Sequence, residues 1–69
     1  MIYEVMAGKP YRSKNSGTLF RVCLLARHGQ DCSERQVVYS NEEPTTDYPV
    51  GELWVVSESI FIKTMEEVQ

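Results

Sequence analysis

The ten residues TLFRVCLLAR, positions 18–27, constrain the chain more than any other stretch. At a period of two, Phe20, Val22, Leu24 and Ala26 fall on one face, and Arg21, Cys23, Leu25 and Arg27 on the other. This is a strand with one face on a core. We expect the first set inside and the second largely outward, with Arg21 and Arg27 exposed.

The flanking residues extend the pattern. Asn15-Ser16-Gly17 is a turn signal, so residues 9–13 and 18–27 are expected to pair as a hairpin. Residues 36–40 read as another strand, rich in Val and Tyr. Residues 29–33 join it to the long strand, with Gly29 able to take a positive φ. Residues 41–51, NEEPTTDYPVG, carry two prolines and a closing glycine and form the longest loop candidate. Residues 51–56 follow as a strand with Trp54 in it. A single 3-10 turn is expected near residues 57–60, then a last short strand over 60–64 and a frayed end over 65–69. Residues 1–6 read as a further short strand, with helix as the weaker option. Five or six short strands with tight turns define an all-β class, a small and strongly bent antiparallel sheet or barrel. Closure would remove the exposed edges of a small open sheet.

Size and charge narrow the function. Sixty-nine residues make one small domain of marginal stability, without the depth for a catalytic cleft. The net charge of −3 argues against sequence-independent binding to nucleic acid or to an anionic membrane. No apolar run reaches the roughly 18 residues of a membrane span, and MIYEVMAGKP lacks the basic start and apolar stretch of a signal peptide. A cytoplasmic location is expected. Two cysteines make no disulfide framework and would stay reduced there.

Tyr11-Arg12, Phe20-Arg21-Val22, Ala26-Arg27-His28, Val37-Val38-Tyr39, Leu53-Trp54-Val55 and Phe61 occur in an order and spacing that resembles one small bacterial and phage family, catalogued as a domain of unknown function. The resemblance covers residues 8–63. It departs in two places: the family's His-Tyr-Lys-Gly after Tyr-Arg is Ser13-Lys14-Asn15-Ser16-Gly17 here, and its Arg-Pro after Leu-Trp-Val is Val56-Ser57. It implies a small antiparallel barrel of the SH3-like kind and a cytoplasmic, phage-associated setting. It implies no reaction.

Several residues invite a chemical role. Cys23, His28 and Cys32 suggest zinc, but the cysteines stand nine positions apart, not the two to four usual for a zinc-binding pair. No metal and no other cofactor is expected. His28 beside Cys32 or Ser33 suggests a base and a nucleophile, but a hairpin end supplies neither a dry pocket nor a group to orient the base. No catalytic residue is assigned, and no enzyme activity is expected. Arg27 and His28 read as the polar end of a hairpin, with a binding role as the alternative. Glu42, Glu43 and Asp47 read as a solvated loop, or as an acidic lure for a partner with a basic surface. Tyr48 in that loop and Trp54, the single tryptophan, are candidate anchors for a partner. The expectation is a non-enzymatic protein-binding module, in a phage setting a modulator or inhibitor of a host protein or defence complex. Two other readings stand beside it. One is a nucleic-acid-binding barrel using Arg12, Arg21, Arg27 and Lys63, with Tyr11 or Trp54 as a stacking platform. The other is a self-assembling structural protein or homo-oligomer, which an apolar patch around Leu25 and Val38 would favour.

Overall fold

The long strand read from the sequence is the centre of the fold. In the computed structural model, which describes residues 2–68, the chain forms β1 (Pro10–Ser13), β2 (Leu19–Arg27), β3 (Arg35–Asn41), β4 (Leu53–Ser57), a helix α1 (Glu58–Thr64) and β5 (Met65–Glu67). The five strands make one antiparallel sheet in the order β4-β3-β2-β1-β5. The β1–β2 hairpin turns at Gly17, whose φ of 74° lies in the left-handed region glycine adopts without cost. Gly29 does not take the positive φ that its place in the β2–β3 connection suggested.

The architecture departs from the sequence reading at both ends. Residues 2–6 form no strand; Met1 lies outside the described residues. Residues 58–64 form a helix where a 3-10 turn and a strand were expected. Residues 65–67, expected to fray, pair with β1 through Ser13↔Met65, Arg12↔Glu66 and Tyr11↔Glu67. Among the described residues no ladder joins the two edge strands, so the sheet is open and not a closed barrel. The helix spans the gap between those edges in sequence.

The helix has identifiable causes. Ser57 is its N-cap, the hydroxyl accepting the Ile60 N–H at 3.4 Å. Glu58 lies in the first turn and Lys63 in the last, the signs that suit the helix dipole. Phe61 is fully buried, and Met65 follows it by one helical turn, also buried.

The interior face of β2 changes partway along. Val22 pairs with Tyr39 and Leu24 with Val38, so Cys23 is an extra residue, a β-bulge. One extra residue shifts the two-residue alternation by one. Before the bulge the expectation holds: Val22 is buried at 1% exposure and Phe20 packs half-buried against the core. After it the faces exchange. Leu25 turns inward, whereas Leu24 is 50% exposed and Ala26 is also exposed. Leu24 and Ala26 therefore do not belong to the core, and Leu25 packs against it. Arg21 and Arg27 are both exposed, Arg21 on the outward face as expected and Arg27 at the strand end although the bulge puts it on the same side as Leu25.

The core joins Ile2, Val5, Tyr11, Val22, Val37, Phe61 and Met65. Its aromatic rings meet edge to face, Tyr11 with Phe61 at 5.2 Å and Tyr39 with both Phe20 and Phe61 at 5.3 Å. The irregular N-terminal segment seals one side, with the Met6 N–H donating to the Tyr11 hydroxyl at 3.0 Å.

Two outcomes follow from this packing. Phe61→Ala should cost about 3–5 kcal/mol in urea unfolding, whereas Leu24→Asn should cost under about 1 kcal/mol; equal losses would contradict the bulge. Burial pushes the Tyr39 hydroxyl up from its ordinary value, because ionisation would place a charge in the aromatic cluster. That contribution is present in full below about pH 10 and is lost as pH rises through the higher folded-state value. A tyrosinate absorbance titration should show a lagging component that disappears in Tyr39→Phe.

Candidate functional site

The long loop between β3 and β4 is organised by one residue that the sequence reading passed over. Asn41, the last residue of β3, is buried at 1% exposure. Its Nδ2 donates to the carbonyl oxygens of Glu43 at 2.9 Å and Pro49 at 2.8 Å, tying both limbs of the loop together. Its Oδ1 accepts the indole N–H of Trp54 at 3.3 Å. The side-chain amide thus uses both donors and its acceptor. The backbone adds a closing bond from the Gly51 N–H to the Asn41 carbonyl at 3.0 Å, with Gly51 at φ 93°. The loop tip is a small turn of its own: the Tyr48 N–H donates to the Thr45 hydroxyl, and the Thr45 N–H to the Tyr48 carbonyl, both at 2.9 Å.

These bonds bring Tyr48 and Trp54 together. Their rings meet edge to face at 4.9 Å. Trp54 is half-buried, whereas Tyr48 is 45% exposed, and Val50 and Leu53 are exposed nearby in sequence. The result is an aromatic ledge whose backbone is already fixed.

The acidic residues have partners within the fold. Glu42 pairs with the Arg21 guanidinium, and that hydrogen-bonded carboxylate raises the Arg21 pKa. Arg21 also donates to the Gly8 carbonyl at 2.7 Å. Glu43 accepts the Leu19 N–H at 2.8 Å and lies 3.9 Å from Arg12. These exposed pairs contribute little stability each. They do use the charges of Glu42 and Glu43 to hold the loop on β1 and β2, while Asp47 stays exposed at its tip.

Arg27 and His28 hold the other hairpin end. Arg27 donates to the Cys32 carbonyl at 2.9 Å. The His28 Nδ1 accepts the N–H groups of Gln30 and Asp31, each at 3.1 Å, so in this arrangement it is the unprotonated nitrogen. The Ser33 hydroxyl donates to Asp31. Cys23 lies at the bulge and contacts the Ser40 hydroxyl, while Cys32 lies in the β2–β3 connection. Both thiols are free and exposed. Among the described residues no group of three or more His, Cys, Asp or Glu side chains could hold a metal ion. Among them, too, no helix is long and apolar enough to cross a membrane.

No protein-family model, no curated protein and no solved structure matches the chain.

The loop gives a direct test. Asn41→Ala would leave the Trp54 indole and two carbonyls without their partner, at a cost of about 1–3 kcal/mol. The single tryptophan should report it as a change in emission, and Asp47→Asn, at the exposed tip, should change neither quantity.

Proposed function

We infer that the chain is a non-enzymatic protein-binding module whose contact is the Tyr48–Trp54 ledge. The observation that carries this reading is the exposed Tyr48 ring seated on Trp54, above a loop already ordered by Asn41. Large, rigid aromatics are common anchors of protein interfaces. A loop ordered before binding loses less freedom on contact, so more of the interaction appears as affinity. The engaged state of Glu42 and Glu43 moves the emphasis from an acidic lure to an apolar contact with Asp47 on its rim.

Fold-level analogy supports the same reading. The order β4-β3-β2-β1-β5, with the short helix α1 before the last strand, is compatible with a partly opened SH3-like barrel. Such barrels commonly bind through loop aromatics, though fold alone assigns no partner. In the bacterial and phage setting that the sequence resemblance implies, the partner would be a host protein or defence complex in the cytoplasm, which the module would modulate.

The patch expected around Leu25 and Val38 does not form, because Leu25 turns inward on the face opposite Val38, but the self-assembly reading has a different specific support. The outward residues Leu24, Val38 and Val55 lie on one rung across β2, β3 and β4, and Leu53 and Val55 are each 65% exposed on an edge strand. The nucleic-acid reading loses support, because Arg12 and Arg21 are engaged with Glu43 and Glu42.

The immobilised chain should capture a specific protein from bacterial lysate. Tyr48→Ala should release it about tenfold faster or more, a hot-spot loss. Asp47→Asn should alter mainly the salt dependence of association. Equal capture by Tyr48→Ala and the parent chain would remove the ledge from consideration.

A further inference from the structure

We propose that the end of the β2–β3 hairpin recognises a carboxylate carried beside an apolar side chain, the chemistry of a peptide's C-terminal residue, between the guanidiniums of Arg27 and Arg35. The register sets Arg27 directly opposite Arg35. Two residues back along the same face, Leu25 stands opposite Val37, and both belong to the core or pack against it. The core-facing side of the hairpin therefore ends in two like charges. Like charges directly across a ladder destabilise the pair. In a chain with ten acidic and seven basic residues, this juxtaposition runs against the overall charge balance.

Neither guanidinium is saturated from within the described residues. Arg27 donates one bond, to the Cys32 carbonyl. Arg35 comes within 3.7 Å of the Glu58 carboxylate, a distance too long for a well-formed hydrogen bond. Most of their donors therefore stay open, in a shape that suits a carboxylate bidentately. Leu25, Ala26, Arg27 and Arg35 line an open cleft of about 360 Å³. Leu25, on the same face as Arg27, gives it an apolar side beside the charges, which a bare phosphate would leave unused. Glu58, leaning toward Arg35 from α1, already shows the attraction and competes for the site.

This cleft is distinct from the Tyr48–Trp54 ledge. Ser57, at the helix end of β4, neighbours Gln36 near the cleft, whereas Trp54 pairs with Tyr39 farther along. The failure of one site thus leaves the other standing.

The test is a titration of the isotope-labelled full chain, followed by NMR, with N-acetyl-leucine, N-acetyl-leucinamide and inorganic phosphate at constant ionic strength. N-acetyl-leucine should move the backbone amides of residues 25–27 and 35–37 and the side-chain N–H signals of both arginines. The uncharged amide should leave them in place. Arg35→Gln should weaken the response about tenfold or more, with a thermal midpoint unchanged or raised because the like-charge pair is gone. Glu58→Gln keeps both arginines and removes the competitor, so it should tighten binding. Equal shifts from N-acetyl-leucinamide would reduce the cleft to an apolar contact and overturn the proposal. Larger shifts from phosphate would make it a bare anion site and overturn it equally. Unchanged affinity in Arg35→Gln, or unchanged or weaker binding in Glu58→Gln, would also reject it.

Discussion

The packing of one helical side chain sets much of this fold. Phe61 places its ring edge against Tyr11 of β1 and Tyr39 of β3, and Tyr39 in turn meets Phe20 of β2. Four elements thus converge on a few aromatic rings. In a chain this small there is little other apolar volume to share the load. The helix is the means by which Phe61 reaches the centre. One turn later Met65 is delivered to the same interior and begins the strand that pairs with β1. A strand over 60–64 would have turned Ile60 and Ile62 to the face opposite Phe61. In the helix Phe61 is buried, Ile62 packs at the core margin and Ile60 is half-exposed.

Two local devices then divide the surface. The bulge at Cys23 lets β2 present Val22 and Leu25 to one interior although they are three residues apart. Asn41 does for the β3–β4 loop what a ladder does for a strand: it gives buried polar groups defined partners where regular pairing stops. Both turn an irregular stretch of backbone into a fixed one.

How much of this was legible depended on whether the signal was local and periodic. The β1–β2 hairpin, β3 and β4 were readable because their alternation and turn residues agree. The exchange of faces after Val22 was not, since a bulge is a property of two strands in register and Cys23 carries no mark of it. The helix was obscured by Ile60, Phe61 and Ile62, which favour strands; the readable signal was Ser57 followed by Glu58, with Lys63 at the far end. At the site, Tyr48 and Trp54 were visible as separate candidates. Their contact depends on Asn41, a buried clamp that looks like ordinary loop polarity in the sequence. The engagement of Glu42 with Arg21 and of Glu43 with Leu19 and Arg12 was likewise hidden, because it spans more than twenty residues of chain.

The open edge at β4 has a consequence for the behaviour of the chain in concentrated solution. An extended edge with Leu53 and Val55 outward is a template for a strand from another molecule. An antiparallel pairing of two copies centred on Val55 would set Glu52 of each copy beside Glu58 of the other. The two carboxylates that bracket the strand would then add like-charge repulsion at both ends of that docking, reduced where Glu58, at the start of α1, is drawn to Arg35. That protection is electrostatic, so dissolved salt screens it while leaving the apolar attraction between the edges intact. Colloidal stability at this edge is therefore conditional on ionic strength, even where the fold itself is not.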